Sequence, residues 1–456
     1  MSDGLSIDGA LQLLACAAFI VGLKLMGRQT TARLGNFVSA GGMALAVVAA
    51  VLHSGVSLPI VAIAGLVGSV IGVVLAVRVK MTGMPELVAA FNGLGGLASL
   101  AIGLVEVARE GGGVFGAAMS SAAIIVGGVA FTGSLVAFGK LSGVLPQRAI
   151  AFPGQFAATA VVAVVTLGTA VWAVAGGPAW TPGALCAVAA FGVGVLAVVR
   201  IGGGDMPVVV SLLNSYSGAA AAAAGLAIDS PVLVVAGALI GAAGLMLTQV
   251  MCKAMNRSLA NVLFAGFGSA VAEATGGAQQ GTVRPISASD SYYLLESARE
   301  VIVVPGYGMA VARAQHVVEE LSSLLEANGT RVRFVIHPVA GRMPGHMNVL
   351  LAEAGIPYDQ LIEPPDVNPG MEGIDVALVI GANDIVNPDA KEDSASPLYG
   401  MPIVEVDRAK TTIVLKRSMA TGFAGVQNSL FFRPNTRMLF GDAKDSIGSV
   451  NAEFED

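Results

Sequence analysis

The sequence predicts a two-part fold: an α-helical membrane bundle of about nine transmembrane helices, then a soluble α/β domain with a doubly wound parallel sheet. Three observations predict it. Of 456 residues, 55% are hydrophobic and only 12% charged, far from a soluble average. The charges are unevenly placed: residues 1–255 are rich in Ala, Val, Leu and Gly, whereas 291–456 read as an ordinary soluble chain, with a Gly/Ser/Pro-containing flexible linker over 256–290. In the soluble part, short apolar runs alternate with helix-like runs, as parallel strands covered by helices require. The net charge of −6 argues against a nucleic-acid partner. Cys16, Cys186 and Cys252 lie in or at the end of apolar runs and read as small buried residues, not as a disulfide framework or a metal site.

A membrane span needs about 20 mostly apolar residues. Candidates are 7–25, 34–52, 58–77, 84–105, 114–138, 152–174, 183–199, 206–228 and 232–251. Met1 to Asp8 carries no basic segment of a cleavable signal, so the first run reads as a span. Lys24, Arg28 and Arg33 follow the first span, Arg78 and Lys80 the third, Lys140 and Arg148 the fifth, Arg200 the seventh, Lys253 and Arg257 the ninth. The alternate loops hold only Arg109. Basic loops mark the cytoplasmic side. The expected orientation is therefore N-terminus outside and soluble domain in the cytoplasm.

Glycines crowd the spans at Gly65, Gly68 and Gly72, at Gly93, Gly95 and Gly96, and at Gly237, Gly241 and Gly244, which reads as close helix packing. Polar residues inside spans are costly and more informative. Asn92 lies mid-span behind Glu86, and Asn214, Ser215, Tyr216 and Ser217 lie mid-span behind Asp205. Glu106 and His53 sit near span ends and read as interfacial. For Asn92 and Asn214 two readings stand: interhelical hydrogen bonds, or a polar path for a proton. Asn does not titrate, so a path needs an ionisable partner such as Glu86, Asp205 or a group on another subunit.

In the soluble part, Val301–Val304 reads as a strand and Ser291–Ala298 as a short helix before it. Then come Pro305, Gly306 and Gly308, and a helical run from Met309, with an amphipathic helix over Val311–Ala327 closed by Asn328-Gly329. Further strands are expected at Arg331–Ile336, Gln360–Ile362, Asp375–Ile380, Pro402–Val406, Thr412–Leu415 and Arg437–Phe440, with a helix over Met347–Ala354. This is a Rossmann-like order. The turn is Gly-x-Gly-x-x-Val, with Val311 where a third glycine usually stands. Such a turn can bring backbone N–H groups to a phosphate before a helix N-terminus, but it is also a common tight strand–helix connection.

NAD-binding folds carry an acid at the end of the second strand for the ribose hydroxyls. Here that strand runs into His337-Pro-Val-Ala-Gly-Arg342, with no acid and one arginine. Lys416-Arg417-Ser418 follows another strand, where ligands bind in such sheets. A point charge, a planar fork and a hydroxyl suit a phosphate, hence NADP, although such a pair is also an ordinary solvated strand end. Asp384, after an apolar strand, could contact the ligand or titrate with it. The stretch 385–400 is long for a loop and could be a lid. Asp442 and Lys444 could form a plain turn or close over the ligand. No Ser-His-Asp or Cys-His arrangement is visible.

Several motifs together resemble one family: Gly306-Tyr-Gly-Met-Ala-Val-Ala-Arg-Ala-Gln315, Val339-Ala-Gly-Arg-Met-Pro-Gly-His-Met-Asn-Val-Leu-Leu-Ala-Glu353, Gly381-Ala-Asn-Asp-Ile-Val-Asn-Pro388, Lys416-Arg-Ser418, Gly425-Val-Gln-Asn428 and Gly441-Asp-Ala-Lys444. In the membrane part, Asp205-Met-Pro through Ser217-Gly218 and Met251-Cys-Lys-Ala-Met-Asn-Arg257 join them. The chain resembles the beta subunits of proton-translocating NAD(P) transhydrogenases over nearly its whole length. The resemblance implies NADP(H) bound by the soluble domain in a flipped orientation, and NAD(H) bound by an alpha subunit that also brings membrane helices. It implies hydride transfer between the two, coupled to a proton crossing a bacterial inner membrane, and a dimer of alpha–beta units.

The residues that match the family's dinucleotide positions are Gly306, Tyr307, Gly308, Met309, Ala310 and Val311; Arg342; Gly381, Asn383 and Asp384; Lys416, Arg417 and Ser418 at the 2′-phosphate; Gly422; and Gly441, Asp442, Ala443 and Lys444. Asp384 matches an acid linking cofactor redox state to protonation. Asn92, Asn214, Asp205 and Glu86 are the candidate proton-handling residues. Many relatives have His at the position of Asn92, and some place it on a partner helix instead, so the proton carrier is expected on the partner. Phe423 stands where relatives often have Tyr. The alternative from another class is a nucleotide-sensing gate of a membrane transporter without redox chemistry. A membrane NADPH oxidoreductase would need haem-spaced histidines, and His53 is the only histidine in this half.

Overall fold

The computed structural model describes residues 7–52, 57–79, 83–109, 113–176, 180–264, 281–343, 345–422 and 424–455. His53, Lys80, Phe423 and linker residues 265–280 lie outside the described residues. Among the described residues, nine helices are long and apolar enough to cross a membrane. They are α1 (Ile7–Met26), α2 (Gln29–Leu52), α3 (Leu58–Arg78), α4 (Met84–Ala108), α5 (Gly113–Leu141), α6 (Gln155–Val174), α7 (Thr181–Val199), α8 (Met206–Ala227) and α9 (Pro231–Ala254). Pro at the first turns of α3, α4 and α7 costs nothing, because those N–H groups have no helical partner.

Small residues set how closely the helices approach. A Cβ on Gly96 of α4 would lie 2.7 Å from Gly127 O of α5, and one on Gly218 of α8 would lie 2.3 Å from Gly241 N of α9. These backbones are in contact, as lipid-embedded packing favours. Gly65, Gly68 and Gly72 differ: nothing lies within 4 Å of a Cβ on any of them. Cys16, Cys186 and Cys252 are free and buried.

Lys140, near the end of α5, is fully buried. Its ammonium donates to Val199 O at 2.6 Å, Ile201 O at 2.6 Å and Arg148 O at 3.2 Å. Three donors meet three acceptors, and a cation sits at the C-terminal, negative end of α7.

The soluble half follows α10 (Leu259–Phe264) and opens with α11 (Ala288–Glu296), capped by Ser287, whose hydroxyl accepts from Asp290 N. Then come β1 (Glu300–Pro305), α12 (Tyr307–Ala312), α13 (Gln315–Ala327), β2 (Arg331–Val335), α14 (His346–Glu353), β3 (Leu361–Ile362), α15 (Pro364–Val367), β4 (Val376–Ile380), α16 (Asp389–Glu392), β5 (Thr411–Lys416), β6 (Thr436–Phe440) and α17 (Ala443–Glu455). The sheet is six-stranded in the order β3-β2-β1-β4-β5-β6, with every pair parallel. This is the doubly wound Rossmann-like arrangement, whose strand order reverses between β1 and β4. The free side of β6 is not bare: Ile286 N and Met438 O bond at 3.0 Å, and Met438 N and Arg284 O at 2.8 Å, which covers an edge.

Two elements differ from the sequence reading. The helix expected after the glycine turn is two helices. Arg313 caps α12 in the left-handed region at φ 52°, and α13 restarts in a direction that lays Val318, Leu321 and Leu325 in the core. Nor is 402–406 a strand. β5 already has β4 and β6 on its two sides, and Pro402 has no N–H to offer a ladder. The segment instead packs Ile403, Val404 and Val406 into the core, with Val404 N bonded to Ile385 O at 2.9 Å.

Candidate functional site

The register builds the site. Pro305 pairs with Ile380, Ile380 with Leu415, and Leu415 with Leu439. One residue beyond that row stand Gly306, Gly381 and Lys416, at the C-terminal ends of β1, β4 and β5. The ladder continues past the strands: Gly306 N donates to Ile380 O at 2.9 Å, and Gly308 N to Gly381 O at 2.9 Å. The glycines are needed for this approach. A Cβ on Gly306 would lie 2.4 Å from Gly381 O, and one on Gly381 would lie 2.4 Å from Met309 N. Gly381 also takes φ +65°, a region open to glycine at little cost. Two turns interlock here at the point where the strand order reverses, where open α/β sheets bind ligands.

Each predicted soluble-domain residue has a place. Met309 and Ala310 are fully buried under the turn, whereas Val311 is 49% exposed. A valine is tolerated at the third glycine position because it faces away from the core. Arg342 lies with its guanidinium carbon 4.3 Å from the Tyr307 ring centroid. Asp384 Oδ2 accepts from Ala424 N at 3.0 Å, and a Cβ on Gly422 would lie 2.2 Å from Asp384 Oδ1. Asn383 O accepts from Asn428 Nδ2 at 3.0 Å. Lys416 Nζ bonds to Ala420 O and lies 4.8 Å from the Phe431 ring centroid. Burial lowers the Lys416 pKa, and the nearby Asp384 charge opposes that change.

Arg417 and Asp442 form an ion pair at 2.6 Å, and Ser418 is exposed beside them. Asp442 also accepts from Lys444 N at 3.0 Å, as an N-cap of α17 does. The Gly441–Asp445 stretch is therefore the entry to a helix, with Ala443 buried and Lys444 exposed.

At the end of β2, where an acid would meet ribose hydroxyls, His337 is 1% exposed. Its Nδ1 accepts from Val339 N at 3.2 Å, so Nε2 carries the proton and donates to Pro402 O at 2.7 Å. Burial pushes this imidazole down to about 4, against the pull of the Pro402 bond.

The polar residues of the spans fall into separate groups. Asn92 Nδ2 of α4 donates to Val210 O of α8 at 3.2 Å, and Ser217 Oγ donates to Asn92 O at 2.7 Å. Asn214 is half-buried on the same helix as Ser217. Asp205 pairs with Arg257 at 2.9 Å, a partnership that two distant motifs contain but no spacing reveals. Glu86 lies in the first turn of α4. Glu106 pairs with Arg109 at 3.7 Å.

Phe431 beneath Lys416 and His346 beside Arg342 are contributors that sequence reasoning misses. Phe431 reads only as core in Ser429-Leu-Phe-Phe, whereas His346 stands inside the Val339–Glu353 motif. Among the described residues no group of three or more His, Cys, Asp or Glu side chains is placed to hold a metal ion.

Comparison with known proteins extends these observations along the chain. The family model described as NAD(P) transhydrogenase beta subunit matches residues 9–453. Two curated relatives, both described as NAD(P) transhydrogenase subunit beta and both from Rhodospirillum rubrum, are 45% identical over 468 residues, covering 96% of this chain and 97% of theirs. With nine membrane-capable helices among its described residues and a doubly wound soluble sheet, this integral membrane chain belongs to the NAD(P) transhydrogenase beta subunit family.

Proposed function

We propose that this chain is the NADP(H)-binding, membrane-spanning subunit of a transhydrogenase, active only with an alpha partner that binds NAD(H). Hydride transfer between the two dinucleotides is coupled to proton translocation. The observation that carries the reading is the level row of Gly306, Gly381 and Lys416 at the switch point, beside a β2 end that offers buried His337 and no acid. NADP(H), when bound, supplies the hydride donor or acceptor. The interlocked glycine turns bring backbone without side chains to the C-terminal ends of β1 and β4, an approach that suits a pyrophosphate. Lys416, Arg417 and Ser418 provide charge and a hydroxyl for a 2′-phosphate. Arg342, resting on Tyr307, provides a further cation. Asp384 lies against the backbone of Gly422 and Ala424, where a change in its charge would be felt by the segment following Ser418.

Proton handling is assigned to the span residues. Asn92 bridges α4 and α8 and does not titrate, so it orients neighbours while the carrier sits on the partner's helices. Asn214, Glu86 and the Asp205–Arg257 pair complete the polar set. The reading places the assembly, a dimer of alpha–beta units, in a bacterial inner membrane.

Calorimetry on the full chain in detergent tests the nucleotide assignment. NADP+ should bind tightly and NAD+ weakly, and Lys416→Ala should erode that difference by about 1.5–3 kcal/mol, the worth of a charge-assisted bond. Equal affinity for NADP+ and NAD+ in the unaltered chain would overturn the assignment.

A further inference from the structure

Beside the glycine turn stands a histidine that none of the roles above uses. His346 opens α14 and is 1% exposed. Its Nδ1 accepts a hydrogen bond from Arg342 N at 3.1 Å. That bond fixes the tautomer: Nδ1 is the acceptor, so the ring proton sits on Nε2. Nε2 is buried and has no hydrogen-bond partner among the described residues. Burial, and then the charge of Arg342, push this imidazole down to about 4, so the ring is neutral at pH 7 and Nδ1 stays an acceptor.

Gly341 makes the close approach possible. It takes φ +106°, and a Cβ there would lie 2.7 Å from His346 Cβ and 2.8 Å from Nδ1. The His346 and Tyr307 ring centroids are 6.2 Å apart, and the Arg342 guanidinium carbon is 4.3 Å from the Tyr307 centroid. One imidazole thus holds the backbone of Arg342 and flanks the ring on which its guanidinium rests.

We propose that His346 is a positioning residue for dinucleotide binding, its Nδ1 fixing the Arg342 backbone so that the guanidinium is held over Tyr307 in the glycine turn. The proposal rests on the NADP(H) reading above. A guanidinium held in place before the ligand arrives loses less freedom on binding.

Two substitutions separate the ring nitrogens. Asn places its Oδ1 where Nδ1 stands, and Gln places its amide nitrogen where Nε2 stands. His346→Asn therefore keeps an acceptor for Arg342 N, and His346→Gln keeps only the Nε2 donor. Two measurements are made on the full chain in detergent: NADP+ affinity by calorimetry, and deuterium exchange of the peptide covering 338–345 without nucleotide. The Asn variant should stay near the unaltered chain in both. The Gln and Ala variants should bind NADP+ about tenfold more weakly, and their Arg342 amide should exchange about tenfold faster.

Several results would overturn the proposal. One is slow exchange in all variants; another is equal impairment of Asn, Gln and Ala, which would be simple packing. A third is binding preserved by Gln and lost in Asn, which would make Nε2 a direct ligand contact. Weak NADP+ binding by the unaltered chain would sink the nucleotide reading alone, because the exchange experiment reads the Arg342 bond without any nucleotide.

Discussion

At the scale of single residues, Arg417 faces two demands. It is paired with Asp442 at 2.6 Å, with side chains 63% and 32% exposed. Exposed pairs of this kind contribute only about 0–1 kcal/mol, so a 2′-phosphate, carrying more charge, can take the arginine over. The carboxylate would then face the phosphate at close range. Asp442→Asn keeps an oxygen for Lys444 N and so keeps the cap of α17. It should tighten NADP+ binding by up to about fivefold, the same energy expressed as an equilibrium constant. Calorimetry checks this: weaker binding would mean that Asp442 orders Arg417 for the ligand and does not compete with it. Consecutive basic residues after an apolar strand make Lys416 and Arg417 legible in sequence. Their partners are not, because Phe431 and Asp442 reach them only through the fold.

At the scale of elements, short-range pattern succeeds where burial and period coincide, and fails where tertiary contacts overrule them. Six of the expected strands are present; β1, β4 and β5 are short, almost continuously apolar runs, as a sheet covered on both faces requires, whereas β2 alternates, with Arg331 and Arg333 between its buried Val332, Phe334 and Val335. The break at Arg313 leaves no mark in the sequence. Every residue from Met309 to Gln315 tolerates a helix, and the turn is imposed by Met309 and Ala310 burying beneath the glycine loop while α13 docks separately. Segment 402–406 has strand composition but no vacant ladder. His337 ties that segment to the end of β2, which makes the junction acid-sensitive. Its folded pKa of about 4 lies below the ordinary histidine value of 6.5. Unfolded chain therefore binds more protons between those values. Stability that is complete above pH 6.5 falls as pH drops toward 4, by roughly 1.4 kcal/mol for each pH unit crossed between them. Deuterium exchange of peptides covering 331–340 and 401–406, corrected for intrinsic rates, should show protection lost across that window. Flat protection would remove His337 from the junction. Lys140 acts likewise between α5 and α7. Lys140→Met leaves Ile201 O and Arg148 O without their donor, while Val199 O keeps Ile150 N at 3.2 Å; a buried carbonyl so stranded costs about 1–3 kcal/mol, and the variant should melt at a lower temperature. Lys140→Gln, with two donors, should fall between, and a Met variant as stable as the original would refute the clamp.

At the scale of the whole molecule, the orientation inferred from basic loops has to be weighed against what the structure does with those bases. Lys140 and Arg200 are buried, and Arg257 is paired with Asp205. They are partly structural and cannot all be counted as loop charges that the membrane reads. Lys24, Arg28, Arg33, Arg78, Lys80, Arg148 and Lys253 remain, all at or beyond the ends of odd-numbered spans, so the bias survives without the structural three. It puts the α5–α6 connection in the cytoplasm with the soluble half, and the α6–α7 connection outside. Ser142 and Ala175 are exposed in those two connections, and the three native cysteines are buried, which leaves a quiet background for labelling. In intact cells a membrane-impermeant maleimide should modify Ala175→Cys and spare Ser142→Cys, and inverted vesicles should reverse the pattern. The opposite labelling would place the sheet with its Gly306 turn on the outer face, away from cytoplasmic NADP(H), and would defeat the proposed function together with the topology.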